Sequence, residues 1–208
     1  MNMVESAISR SLIERVKNIC VSPEAEWAVI DGERASTASL ITGYVAPLAT
    51  VNAVAAFIGR SLVGITLPFG AGTYRAPFVS SLVVAVLSVA LTIVGVVVCA
   101  SVIDALAPTF GAQKNNTQAI KVAAYAPTAA WVAGILQIIP ALSLLSILGA
   151  LYTLYLLYLG LPKLMKCPQD KAVGYTVVVV LATIVIFFVI SMVSTMFLAS
   201  PLTPSLVQ

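Results

Sequence analysis

Long apolar runs separated by short polar clusters dominate the chain. From Val122 to Pro162, between Lys121 and Lys163, 41 consecutive residues include no Asp, Glu, Lys or Arg. At about 1.5 Å per residue, one helix of that length would reach about 60 Å, twice the hydrocarbon thickness of a bilayer. Pro140 sits near the centre, where a doubling chain would place its turn, so the run predicts two spans and returns both lysines to one face. Three further uncharged runs occupy Ala35–Gly59, Ala76–Ile103 and Ala172–Gln208. Together they predict five transmembrane helices near residues 39–59, 78–103, 122–139, 141–161 and 175–199. The runs are continuous rather than alternating, which implies helices and not a barrel. The expected fold is therefore all-α: a polytopic bundle over 39–199, preceded by residues 1–38 and followed by a short tail, 200–208.

The first 38 residues read differently. Val4, Ile8, Leu12, Val16 and Ile19 fall on one face at helical spacing, with Arg10, Glu14 and Lys17 opposite. Arg15 interrupts the apolar face, where its long stem could snorkel. Ser22 then supplies an N-cap, Pro23 a first helical residue, and Glu24 and Glu26 suit the positive end of the helix dipole. A second helix is expected from Pro23 to about Arg34, with Trp27 and Ile30 as headgroup-level anchors. The pair reads either as a platform for a partner or as two amphipathic helices resting on the membrane. The connection Arg60–Ala76, rich in Gly and Pro but fairly apolar, reads as a plain surface loop, the alternative being a segment that lies in the interface or dips into the membrane.

Composition and charge sharpen the picture. Of 208 residues 60% are hydrophobic and 9% charged, against about 25% in a soluble domain. With the N-terminus inside, nine basic residues fall on inner segments and two, Arg60 and Arg75, on outer ones. This positive-inside bias predicts a cytoplasmic N-terminus and an external C-terminus. Six acids precede the first span, so the start does not read as a secretory signal. No basic stripe with interleaved aromatics suggests nucleic acid. The three cysteines, Cys20, Cys99 and Cys167, have no metal-like spacing and read as free thiols.

Candidate chemistry is sparse. The chain has no histidine, which removes the commonest general base and metal ligand. The predicted membrane cores hold no Asp, Glu, Lys or Arg, which argues against an ion-coupled pump. No metalloprotease, P-loop or nucleophile-elbow motif is present. No enzymatic activity and no cofactor are expected. Uncharged polar positions remain: Asn52 in the first span, Gln137 in the third, and Tyr152, Tyr155 and Tyr158 in the fourth. Asn52, Gln137, Tyr152 and Tyr155 either line a pore or polar pocket or bond neighbouring helices. Small residues at Ser81, Ala85, Ser88 and Thr92, and at Ser146, Ala150 and Thr153, permit close helix approach within or between chains.

The order of several motifs resembles the bacterial branch of the Ypt-interacting-protein (Yip) family. These are Pro23-Glu24-x-x-Trp27-x-x-Ile30, Tyr125-Ala126-Pro127, Ile139-Pro140, the run from Leu151 through Tyr152, Tyr155, Tyr158 and Gly160 to Lys163, and Pro168-x-Asp170-Lys171. The resemblance spans about residues 10–198 and implies five spans, a cytoplasmic N-terminus and an inner-membrane location. Eukaryotic relatives bind Rab-type GTPases, but their Asp-Leu-Tyr-Gly-Pro motif is absent here, so GTPase binding is not carried over. The family supplies no catalytic residues. The expected role is a scaffold or interaction protein in membrane organisation or trafficking-like processes, with membrane lipids, a second copy or other membrane proteins as partners. The alternative is a channel, small-solute transporter or lipid scramblase.

Overall fold

Ser11 opens the first helix of the computed structural model, which describes residues 11–66 and 72–199. Its hydroxyl accepts from the Glu14 amide and starts α1, Leu12–Val21. Pro23 starts α2, Pro23–Gly32, with two acids in its first turn; Ser22 holds the N-cap position, but its side chain makes no capping bond. Five helices long and apolar enough to cross a membrane follow: α3 Thr37–Val63, α4 Phe78–Phe110, α5 Asn116–Ile138, α6 Pro140–Met165 and α7 Gln169–Ala199, whose described span ends at Val189. Val4, Ile8 and Arg10 of the expected first helix, the middle of the 60–76 connection and the 200–208 tail lie outside the described residues.

The helices extend past the apolar runs because caps and turns, not hydropathy, end them. α3 begins at a reciprocal cap in which the Ser36 and Ser39 hydroxyls each accept from the other's backbone amide. It contains π turns at Ile41–Val45 and Ile58–Val63. The first lies just before Pro47, whose missing N–H removes the donor an α-helix would offer the Gly43 carbonyl. α3 stops at Gly64, at φ 86°, where a Cβ would come within 2.7 Å of the Thr73 and Arg75 side chains. A two-residue antiparallel pair follows, β1 Ile65–Thr66 against β2 Thr73–Tyr74, so the expected plain loop is partly a hairpin. α4 runs through Asp104 and finishes in a 3₁₀ turn at left-handed Gly111. α5 starts before its apolar run because the Asn115 side chain caps the Gln118 amide at 3.1 Å. Pro127 breaks α5 after Tyr125. Ile139 is extended, as the residue before a proline prefers, and Pro140 starts α6: the hairpin turn falls at the middle of the 41-residue run.

α4 packs against α3, α5 and α7, while α6 packs against α5 and α7. The densest core lies at one end of the bundle, around Trp27, Ile30, Tyr44, Tyr125, Ile103, Leu156, Leu161 and Tyr175. α1 and α2 plug into that end, with α2 lying against α6. We call it the capped end.

Candidate functional site

The capped end is held by a buried charged seam. Arg15 and Glu26 are 4% and 2% exposed, and Arg15 Nη1 lies 2.5 Å from Glu26 Oε1. Arg15 Nη2 also pairs with Glu33, and the guanidinium carbon stands 5.4 Å from the centre of the Tyr125 ring. Burial alone would lower the Arg15 pKa; the Glu33 hydrogen bond and neighbouring negative charge outweigh it and leave the pKa raised. Lys121, buried on α5, donates to the Ile30 carbonyl at 2.9 Å and the Glu33 carbonyl at 2.6 Å. It thereby stands at the negative end of the α2 dipole. Two cations thus face two carboxylates and the end of α2, which locks α1 and α2 onto α5. Nearer the surface, Lys166 Nζ lies 2.5 Å from Asp31, and Gln118 Nε2 donates to Asp31 Oδ1 at 3.1 Å.

Aromatic contacts continue the seam. Tyr125 meets Trp27 edge to face at 6.5 Å and Tyr44 at 4.6 Å between ring centres. The Thr128 hydroxyl donates to the Tyr125 carbonyl at 2.6 Å, so the Tyr44 hydroxyl, 2.7 Å from Thr128, is the donor between those two. Trp27 rests on Gly160 of α6, where a Cβ would come 2.7 Å from the indole. The Tyr152 hydroxyl donates to the Cys20 carbonyl at the end of α1, 2.9 Å away.

Two expectations change here. Trp27 and Ile30 are not headgroup anchors: they are 1% and 0% exposed, because the bare Gly160 backbone opens a slot that admits the indole and draws α2 into the bundle. Arg15 does not snorkel to water; it is drawn inward by carboxylates 11 and 18 residues along the chain. Of the seam's other members, Glu26 reads from sequence only as a helix-dipole acid, and Glu33, Tyr44 and Thr128 carry no signal there. The available signal was the arginine itself, a charge on an otherwise apolar helical face.

The polar positions expected inside the spans fall into separate places. Asn52 and Gln137 meet where α3 crosses the end of α5. Gln137 Nε2 donates to Asn52 Oδ1 at 3.4 Å, and Asn52 Nδ2 donates to the Trp131 carbonyl at 3.3 Å. Gly59 makes this crossing possible, since a Cβ there would sit 1.9 Å from the Gln137 carbonyl oxygen; Gly134 does the same against Asn52. Tyr152 belongs to the capped end. Tyr155 lies 5.5 Å from it, ring to ring, and faces outward, as does Tyr158. Pro23 lies in the first turn of α2, Lys171 in the first turn of α7, and Pro140 at the α5–α6 turn. Of the small-residue stripes, Ser81 and Ala85 are buried on α4, but Ala150 is exposed. The close approach of α6 to α5 is made by Gly149, which leaves no space before Ala129 and Ala133.

No three His, Cys, Asp or Glu side chains come together as metal ligands among the described residues. The three cysteines are free. Burial raises the Cys20 thiol pKa, and burial followed by the Asp170 charge raises that of Cys167.

Five apolar helices capped by two short, charge-locked helices define an integral, multi-pass membrane protein of all-α class. A family model of the Yip1 domain matches residues 17–191, from the middle of α1 to within α7. The chain belongs to the Yip1 family. No curated protein and no solved structure matches it.

Proposed function

We propose that this chain is a non-enzymatic membrane scaffold or interaction protein that acts in membrane organisation by assembling with itself or with other membrane proteins. The observation that carries this reading is how the polar side chains of the spans are used. Asn52 and Gln137 bond each other and a neighbouring backbone, and Tyr152 bonds the end of α1. A conduit would need such groups turned toward a shared path, and a catalyst would need them convergent and free. Here they hold helices together. The nine-to-two distribution of basic residues supports a cytoplasmic capped end and an external C-terminus, as expected for a bacterial inner-membrane protein.

Purified protein in proteoliposomes separates this from a channel, transporter or scramblase. The scaffold reading expects ion flux, solute uptake and lipid scrambling equal to those of empty vesicles. Activity above that background, lost in Asn52→Ala or Gln137→Ala, would overturn it.

A further inference from the structure

A second polar feature lies beside the seam and shares only Trp27 with it. A half-open groove of about 420 Å³ runs where α2 meets the end of α6 and the first turn of α7, walled by Glu24, Trp27, Tyr158, Pro162, Lys163 and Gln169 among others. Three observations describe the ligand it would take. The Trp27 indole lines the groove, and its buried N–H has no hydrogen-bond partner, which leaves a donor unused at the groove wall. Pro162 lies inside α6 and offers no N–H, which leaves the Tyr158 carbonyl without its i+4 donor; both residues are on the groove wall. Glu24 and Lys163 are exposed on the same groove, and neither is in an ion pair among the described residues. The groove therefore offers a donor with a cation and an acceptor with an anion.

We propose that this groove binds the headgroup of an aminophospholipid, a phosphate diester carrying a primary ammonium. The phosphate oxygens accept from the Trp27 N–H and pair with Lys163, and the ammonium donates to the Tyr158 carbonyl and pairs with Glu24. The source is membrane lipid rather than free phosphate because the groove sits between the end of one membrane helix, Met165, and the start of the next, Gln169. At that depth the acyl chains can follow the apolar flank of α6, where the Tyr158 ring is exposed. A choline headgroup has no N–H for the Tyr158 carbonyl, and a glycerol headgroup has no cation for Glu24, so the site discriminates among phospholipids. This inference goes beyond the scaffold reading and does not depend on it.

The test uses the full chain in nanodiscs holding equal amounts of phosphatidylethanolamine, phosphatidylcholine and phosphatidylglycerol, followed by native mass spectrometry of the lipid retained after extraction. Phosphatidylethanolamine should be retained about tenfold over the other two, the scale of one charge-assisted hydrogen bond. Glu24→Gln should abolish the preference over phosphatidylglycerol, and Lys163→Gln should weaken retention of all three. Both side chains are exposed, so the variants should melt like the parent, while Trp27→Phe removes the N–H at greater risk to the core. Equal retention of the three lipids, a preference unmoved in both exposed variants, or displacement of the lipid by excess inorganic phosphate would overturn the proposal.

Discussion

Arg15 and Glu26 form an ion pair in the interior of a membrane protein, with side chains 5% and 3% exposed. They join α1 to the first turn of α2, and the second arm of Arg15 reaches Glu33 just past the end of α2. One arginine therefore fixes the angle between two short helices that could not be stable alone. The cap and the bundle it closes form one folding unit, because Lys121 of α5 donates to carbonyls at the end of α2.

Breaking that seam on one side should be far worse than removing it whole. Arg15→Met removes the buried cation that pairs with both Glu26 and Glu33 and should cost about 3–5 kcal/mol of stability. Arg15→Met combined with Glu26→Gln and Glu33→Gln should recover much of the loss, since both carboxylates that faced Arg15 are then neutral and Lys121 keeps its two carbonyl acceptors. Unfolding in mixed micelles, followed by tryptophan fluorescence, measures both. Additive losses across the three sites would show that the charges are not coupled.

Gly160 is required by Trp27. Gly160→Ala places a methyl group within 2.7 Å of the indole and should destabilise the protein by about 1–3 kcal/mol. Adding Trp27→Leu should relieve most of that clash while carrying its own cavity cost. A thermal melt of the two single variants and the double variant checks this: the double should be more stable than the two single losses summed.

The amide pair between α3 and α5 is a helix contact. Asn52→Ala and Gln137→Ala should each cost about 0.6–2 kcal/mol, the range for interhelical hydrogen bonds in membranes. The double variant should fall short of the sum, because each single variant already breaks the shared 3.4 Å bond.

The two buried-side thiols near the capped end should label slowly. Burial raises the pKa of Cys20 and of Cys167, which lowers the thiolate fraction at neutral pH. In single-cysteine variants, iodoacetamide labelling should stay slow near neutrality and rise steeply only above the ordinary thiol range. Labelling of Cys20 at the rate of a free thiol near pH 7.5 would mean that the end of α1 is undocked.

Much of the architecture was legible because the membrane imposes a coarse rule. A continuous apolar run must be helical, and its length sets the number of crossings. That rule reached the five spans and the Pro140 hairpin. It did not reach the ends of the helices, which Asn115, Gly64 and Gly111 set by caps and left-handed turns. Nor did it reach the fate of Trp27. Whether an indole faces lipid or protein depends on a glycine 133 residues away, and no local periodicity records that distance. The inward turn of Arg15 escapes the sequence for the same reason: its partners lie in α2 and just past its end, so only the fold brings them together. Asn52 and Gln137 could be named as polar positions from sequence, but the fold decided that they face each other.

Assembly state is the most direct test of the scaffold account. Protein extracted into native-membrane nanodiscs and weighed by mass photometry should appear as two or more copies, or as a stable complex with another membrane protein. Single copies without a companion across the accessible concentration range would contradict it.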